Sequence, residues 1–430
     1  MASVLRTKVQ PPPLRTSTLS RQRLLDRLAT ATQSRLTLLV ADAGYGKTTL
    51  LADFSRRFDG ACLWYSLEST DTDWTTIIHH LVAAAREVKP EFGQLTSSLL
   101  RTEPGVTAPK DAAISSFMHE LQDLTDGRAL LVFDDVHAVG TSAAAAEFVL
   151  RLLKDAPRGF SFVLAGRQPP SFNVARWAAM GELVEISTDE LRFSVEETER
   201  LFADSYGQVL EPDVLEELDR KTRGWAACLQ LFSTLITARS PGNIRAAAES
   251  LTGANQPLYG YLAQEVLSNL SEGLQSFLMR AALLRTVTPE LLAALFPAET
   301  ADTIEGWTTE ADALGLLNRV SQTETSRQFH PLLRDILLSE LRSRHQPADI
   351  ARFHVAIARA AEADPLVACH HYIEAGERED AMRCLGASSL QTMGSGRWGT
   401  AAQLAAQLGS GPTNGAVAAI QARRLLEEGN

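Results

Sequence analysis

Over the first 190 residues, short apolar runs alternate with longer stretches that carry apolar residues on one face only. The runs are 36–40 (L-T-L-L-V), 61–67 (A-C-L-W-Y-S-L), 129–133 (A-L-L-V-F), 162–165 (F-V-L-A) and 183–187 (L-V-E-I-S). Runs this short, apolar on both alternating faces, predict strands of a parallel sheet covered by helices on both sides. Helices are expected over 74–88 and 112–124, and from about Ser20, where Leu24, Leu25 and Leu28 share one face. Pro11, Pro12 and Pro13 hold the preceding arm extended. Trp64 and Tyr65 are expected in the core.

Near Leu191 the strand signal stops and helical periodicity takes over, with one interruption. Residues 310–342 read as helix, short strand (L-L-N-R-V), polar turn (S-Q-T-E-T-S), short strand (R-Q-F) and a second helix opened by Pro331. That order is a winged helix. After Pro347 come Ala-rich helical pairs over 348–363, 366–375, 377–386, 398–408 and 414–428. They resemble the start of a helical-repeat (TPR-like) array, although the period is irregular.

The expected organisation is therefore an arm and first helix (1–30), an α/β domain (31–190), an all-α unit (191–255), a winged helix (256–346) and a helical-repeat-like segment (347–430). The pattern is still helical at Asn430, so the chain is expected to be the front part of a longer protein. With 430 residues, several domains are required, and 45% apolar residues suffice for several cores.

Charge narrows the functional classes. The net charge of −11 argues against broad nucleic-acid binding by this segment. Residues 1–60 nevertheless hold ten Lys or Arg against four Asp, a net +6 that could serve an anionic ligand or simply be a solvated arm. Cys62, Cys228, Cys369 and Cys384 show no C-x-x-C spacing, which suggests neither a disulfide framework nor a zinc site. No apolar run approaches a membrane span, and the N-terminus has no signal-peptide pattern, so a cytoplasmic protein without membrane partners is expected.

The chemistry concentrates where strands end. Residues 41–49, A-D-A-G-Y-G-K-T-T, match the phosphate-loop pattern at Gly46, Lys47 and Thr48, with Ala41 in place of the first glycine. Backbone N–H groups from Gly44 to Thr48 can converge on a polyphosphate, and the helix starting at Lys47 presents its positive end. Lys47 would reach the β- and γ-phosphates, and the Thr48 hydroxyl would meet Mg2+. The bland alternative is an ordinary strand-to-helix turn. An apolar strand before the loop and a helix after it favour the phosphate reading. Asp42 is tolerable in such a loop only if its carboxylate points away.

Downstream, A-L-L-V-F-D-D places two carboxylates at a strand end. In P-loop proteins Asp134 would order Mg2+ and Asp135 would polarise the attacking water. Arg167, at the end of S-F-V-L-A-G-R, is either a γ-phosphate ligand or a surface arginine. His330, just before Pro331, either caps a helix or reaches a phosphate from the second half of the chain. His79, His80, His370 and His371 have no acidic or cysteine partners at ligand spacing and read as structural.

Together these stretches resemble the STAND class of signal-transduction ATPases, and within it the MalT-like regulators. The similarity runs through P-P-P-L-R-T-S-T-L-S-R-Q-R-L-L, A-G-Y-G-K-T-T-L, W-Y-S-L-E-S-T-D, L-L-V-F-D-D-V-H, T-R-G-W-A-A-C-L and F-H-P-L-L-R-D-I-L. The family usually has Pro where Asp42 stands. The resemblance implies a P-loop domain, a helical lid, a winged helix and a repeat-built sensor. It implies ATP or ADP with Mg2+ as cofactors, held by Gly44, Tyr45, Gly46, Lys47, Thr48 and Thr49. Arg21, at the basic helix start, and Gly224 and Trp225, in the lid, would lie around the nucleotide. His330 would touch the β-phosphate of ADP. The implied function is a slow Mg2+-dependent ATPase switch, driven by a small-molecule or protein inducer to self-associate in the ATP state. DNA would be bound only through a C-terminal domain that this sequence does not carry. Two other outcomes fit the same residues: a P-loop kinase turning over a small substrate, or a switch with a non-DNA effector.

Overall fold

The computed structural model describes residues 6–100, 110–125, 127–140, 142–238, 257–320, 325–392 and 398–408. The expected helix at 414–428, the expected boundary at 255–256 and residues 321–324 of the polar turn lie outside them.

Five parallel strands form the first sheet: β1 (Leu36–Val40), β2 (Ala61–Ser66), β3 (Ala129–Asp134), β4 (Phe160–Gly166) and β5 (Leu183–Ile186). Their order is β2-β3-β4-β1-β5. Side chains alternate between two separate cores. Leu36, Leu38, Leu131, Phe133, Phe162 and Leu164 pack with the helices Trp74–Val88, Lys110–Gln122 and Ala143–Asp155. Leu39, Trp64, Leu130, Val132, Val163 and Ala165 pack on the opposite face with Leu24, Leu25 and Leu28 of the helix Gln22–Ala31 and with Leu50, Leu51 and Phe54 of the helix Lys47–Arg57. Burial on both faces is why the strands read as continuous apolar runs.

Beyond Leu191 the helices Pro212–Thr222, Ala226–Ala238 and Pro257–Ser268 share one core with the winged helix. That unit contains the antiparallel pair β6 (Leu317–Arg319) and β7 (Arg327–Phe329), in register Leu317↔Phe329, followed by the helix Pro331–Arg344 with Pro331 in its first turn. The helices Pro347–Ala360, Pro365–Ala375, Arg378–Thr392 and Trp398–Leu408 follow. A separate core that includes Tyr372, Leu385 and Leu404 joins them. The last of these helices returns to the sheet domain, where Gln403 Nε2 donates to Ser69 O at 2.5 Å. Among the described residues no helix is long and apolar enough to cross a membrane.

The arm is tied down at both ends. Lys8 Nζ, buried, donates to both oxygens of buried Asp71 at 2.9 and 3.0 Å. Arg15 donates to Leu317 O, joining the arm to the winged helix. All four cysteines are unbridged. The paired histidines are structural in placement: His80 Nδ1 bonds Thr76 O at 2.8 Å, and His371 Nδ1 lies 2.9 Å from His354 Nδ1 between two helices.

Candidate nucleotide site

The sheet order decides what meets at its C-terminal edge. β4 lies between β1 and β3. Arg167, one residue past β4, therefore stands between the loop after β1 and the carboxylates at the end of β3. This edge is where open α/β sheets bind ligands. A cavity of about 800 Å³ opens there, lined by Lys47, Thr48, Asp134, Asp135, Arg167 and His330. Gly44, Gly46 and Thr49 also face it, as does Arg21.

The loop has the backbone a phosphate cradle needs. Gly44 and Gly46 take φ of +82° and +80°, a region costly for other residues. Gly46 precedes the first turn of the helix Lys47–Arg57, so free N–H groups point at the cavity. Lys47 is only 7% exposed. Its Nζ donates to Ala41 O at 2.6 Å and Asp42 O at 2.9 Å. Burial lowers its pKa, opposed by Asp135 and Asp134. Asp42 itself is exposed, which removes the objection to an acid in this loop.

Thr48 Oγ1 donates to Asp134 Oδ2 at 2.6 Å. This bond places the two residues expected to serve Mg2+ side by side. Asp134 is 2% exposed, and burial, reinforced by Asp135, pushes its carboxyl up to about 7. A cation arriving there would replace the proton. Among the described residues no group of three or more His, Cys, Asp or Glu converges. A hydroxyl and a carboxylate suit Mg2+, which takes much of its shell from water and substrate phosphate. Asp135 adopts φ +56° and leaves its side chain 51% exposed to the cavity.

The other expected ligands divide. His330 is half-buried in the cavity wall. Burial, then Arg167 and Lys47, push its imidazole down to about 4. It occupies the N-cap position of the helix Pro331–Arg344, but its side chain makes no capping bond. Arg21 lines the cavity yet commits its guanidinium to the lid: it donates to Leu191 O (2.7 Å), Arg192 O (2.6 Å) and Glu197 Oε2 (2.6 Å), and lies 4.0 Å from the Phe193 ring. Tyr45 and Trp225 stack on each other behind the loop, centroids 6.0 Å apart. Trp225 Nε1 donates to Ala43 O at 3.0 Å. Gly224 (φ +66°) lets the chain turn against Phe193, whose carbonyl oxygen a Cβ would meet at 2.2 Å. Gly224 and Trp225 thus clamp the lid onto the loop.

Two residues of the region escaped the sequence reading. Arg15 lines the cavity and holds the winged helix; its place in the Pro-rich arm was the available signal. His137, in D-D-V-H, joins the ends of β3 and β4.

A glycine-bent loop, a lysine and a hydroxyl–carboxylate pair at the edge of this sheet define a P-loop NTPase domain, a nucleotide-binding fold. Residues 29–171 match the AAA domain family and residues 263–350 match the MalT winged helix domain family. The HTH-type transcriptional regulator MalT of Cronobacter sakazakii is 29% identical over 379 residues, 86% of this chain and 40% of that protein. The Yersinia pestis regulator of the same name is 29% identical over 380 residues, with the same coverage. The chain thus spans well under half the length of these curated relatives. A STAND protein with a tetratricopeptide repeat sensor from Pyrococcus horikoshii shares the fold, with a TM-score of 0.65 at 15% identity, covering 97% of this chain and 58% of that one. Residues 29–171 are thus similar to an AAA-type P-loop domain and residues 263–350 to a MalT-type winged helix, in a chain that shares its fold with the Pyrococcus protein.

Proposed function

We propose that the chain is an ATP/ADP-dependent switch module, in which nucleotide with Mg2+ bridges the P-loop domain and the winged helix. One observation carries this: Lys47, Thr48 and Asp134 from the first domain face the same cavity as His330 from the winged helix. Lys47 and the N–H groups of residues 44–48 hold the phosphates. Thr48 and Asp134 hold Mg2+, which supplies charge neutralisation when bound. Asp135 directs a water at the γ-phosphate, and Arg167 steadies the charge that develops there. His330 touches the β-phosphate of ADP and ties the winged helix to the loop. Arg21, Gly224 and Trp225 set the lid.

In this reading the units are the arm (1–30), the P-loop domain (31–190), the lid (191–255), the winged helix (256–346) and a repeat-built sensor segment (347–430). Hydrolysis is slow, and inducer with ATP drives self-association. The names of the relatives point to transcription control as the output, with DNA contact made outside the domains described above. The test is mass spectrometry of nucleotide released from purified protein, followed by size measurement with ADP and with ATP. Bound ADP and a nucleotide-dependent size change are expected. Rapid turnover that depends on a second substrate would replace the switch with a kinase.

A further inference from the structure

We propose that His137 is a positioning residue for hydrolysis: it clasps the turn bearing Asp135 to the turn bearing Arg167 and fixes the carboxylate and guanidinium relative to one another. The inference rests on the reading of this cavity as an ATP site.

His137 lies in the short turn Val136–Val139, closed by Ala138 N–H to Asp135 O at 2.8 Å. The turn packs on the end of β4, where a Cβ at Gly166 would sit 3.4 Å from His137 N and 3.7 Å from His137 Cβ. The imidazole stands between two different groups. Its Nδ1 is 3.4 Å from the Arg167 backbone N–H and 3.7 Å from Asp135 Oδ1. With the proton on Nε2, Nδ1 accepts from the Arg167 N–H; the Asp135 carboxylate lies beyond hydrogen-bond range and meets the ring as a charge neighbour only. Among the described residues, His137 is the basic side chain within 4 Å of the Asp135 carboxylate. Half-exposed on a left-handed residue, that carboxylate needs a neighbour to hold its direction.

A purely structural role fits less well. The turn is anchored by Val136 and Val139, 5% and 4% exposed, whereas the His137 side chain is 24% exposed. Cutting the ring away opens no core cavity. It loosens the relation between two groups that act on one phosphate, and displacements near 1 Å at a reacting centre cost on the order of 10²-fold in rate.

The test compares the parent chain with His137→Ala and His137→Asn. The asparagine amide reaches the place of Nδ1 and can accept from the Arg167 N–H. Four quantities are read: ATP affinity by calorimetry, single-turnover hydrolysis, trapping of ADP with aluminium fluoride and Mg2+, and melting temperature. His137→Ala is expected to keep ATP affinity and melting temperature, slow hydrolysis on the order of 10²-fold and lose fluoride trapping; His137→Asn should recover most of both. Parent-like hydrolysis and trapping in His137→Ala overturn the proposal. So does an asparagine variant as slow as alanine with a lowered melting temperature. If the parent binds ATP without measurable turnover, the trapping arm alone decides. A parent that binds no nucleotide refutes the site reading itself, and the proposal with it.

Discussion

Removing the imidazole of His330 tests whether the winged helix is latched through the nucleotide. The Ala variant keeps the backbone that starts the helix, since His330 O still accepts from Arg334 N–H, a 2.9 Å bond in the parent. If the ring bonds the β-phosphate, one charge-assisted hydrogen bond is lost, about 1.5–3 kcal/mol. ADP should then leave about 10- to 160-fold faster. Stopped-flow release of a fluorescent ADP analogue measures this directly.

The acid side of the pH profile supplies a second readout. His330 is held near 4, against an ordinary histidine near 6.5. Between those values the unfolded chain takes up a proton that the folded chain refuses. Above about pH 6.5 this group leaves stability unchanged with pH; as pH falls towards 4 the folded state loses up to about 3 kcal/mol. His354 and His371, held to about 4 and about 3, add losses of the same sign, so only the difference between parent and variant isolates His330. Phosphate beside the ring favours the protonated form. Without Mg2+, which would displace the Asp134 proton, ADP binding should therefore take up more protons in the parent than in the variant at about pH 6 and equally at about pH 8, read by calorimetry in buffers of different ionisation heat. Equal off-rates and equal proton uptake at about pH 6 in parent and variant would refute the latch and leave His330 a helix-start residue.

Lys47→Ala should weaken ATP binding by about 1.5–3 kcal/mol for each charged hydrogen bond lost, and unchanged affinity by calorimetry would remove the phosphate assignment. Asp134→Ala should abolish the Mg2+ dependence of nucleotide affinity. In the parent, Mg2+ affinity should rise as pH passes upward through about 7, where Asp134 sheds its proton; a flat profile would place the cation elsewhere. Asp135→Ala should retain binding yet slow hydrolysis by roughly 10²-fold or more, so parent-like turnover would strip it of the water-directing role. Arg15→Ala should lower thermal stability by about 1–3 kcal/mol and speed nucleotide exchange, since it leaves Leu317 O without its guanidinium; exchange at the parent rate would mean that the arm does not hold the winged helix closed.

Local signals carried over well from sequence to structure. The helix at 74–88 begins where expected because the Asp73 side chain accepts from Thr76 N–H, a bond that residue type advertises. Pro331 opens its helix for an equally local reason. Strand pairing is not local, and the insertion of β4 between β1 and β3 could not be read from runs of apolar residues. That insertion is what carries Arg167 to the cavity. Arg21 illustrates a second limit: the sequence announced a cation at a helix start but not its partner, and Glu197, 176 residues away, takes it. Trp225 was legible as a lid residue only through family likeness. Its bond to Ala43 O depends on how the lid folds back.

Four successive carbonyls of the phosphate loop each have a donor, and the donors come from two places. Lys47 supplies those for Ala41 O and Asp42 O. The lid supplies those for Ala43 O, through Trp225 Nε1, and for Gly44 O, through Ala227 N–H at 3.0 Å. A phosphate that draws Lys47 away leaves two carbonyls wanting donors, and buried carbonyls without partners are costly. The loop must then turn them towards water or towards new donors. Where that turn is not absorbed by the torsions between neighbouring peptides, it is passed on to peptides 43 and 44. A rotation reaching those two peptides would disturb both lid bonds. The lid in turn grips the winged helix, with Gln230 Nε2 donating to Gly315 O at 2.8 Å and Thr234 Oγ1 to Leu314 O at 2.9 Å. The path from the lysine to the second half of the chain therefore runs through backbone carbonyls as well as through any nucleotide. A ligand shifts such a system only by contacting its states differently, and the choice of Lys47 between carbonyl and phosphate is a difference of that kind.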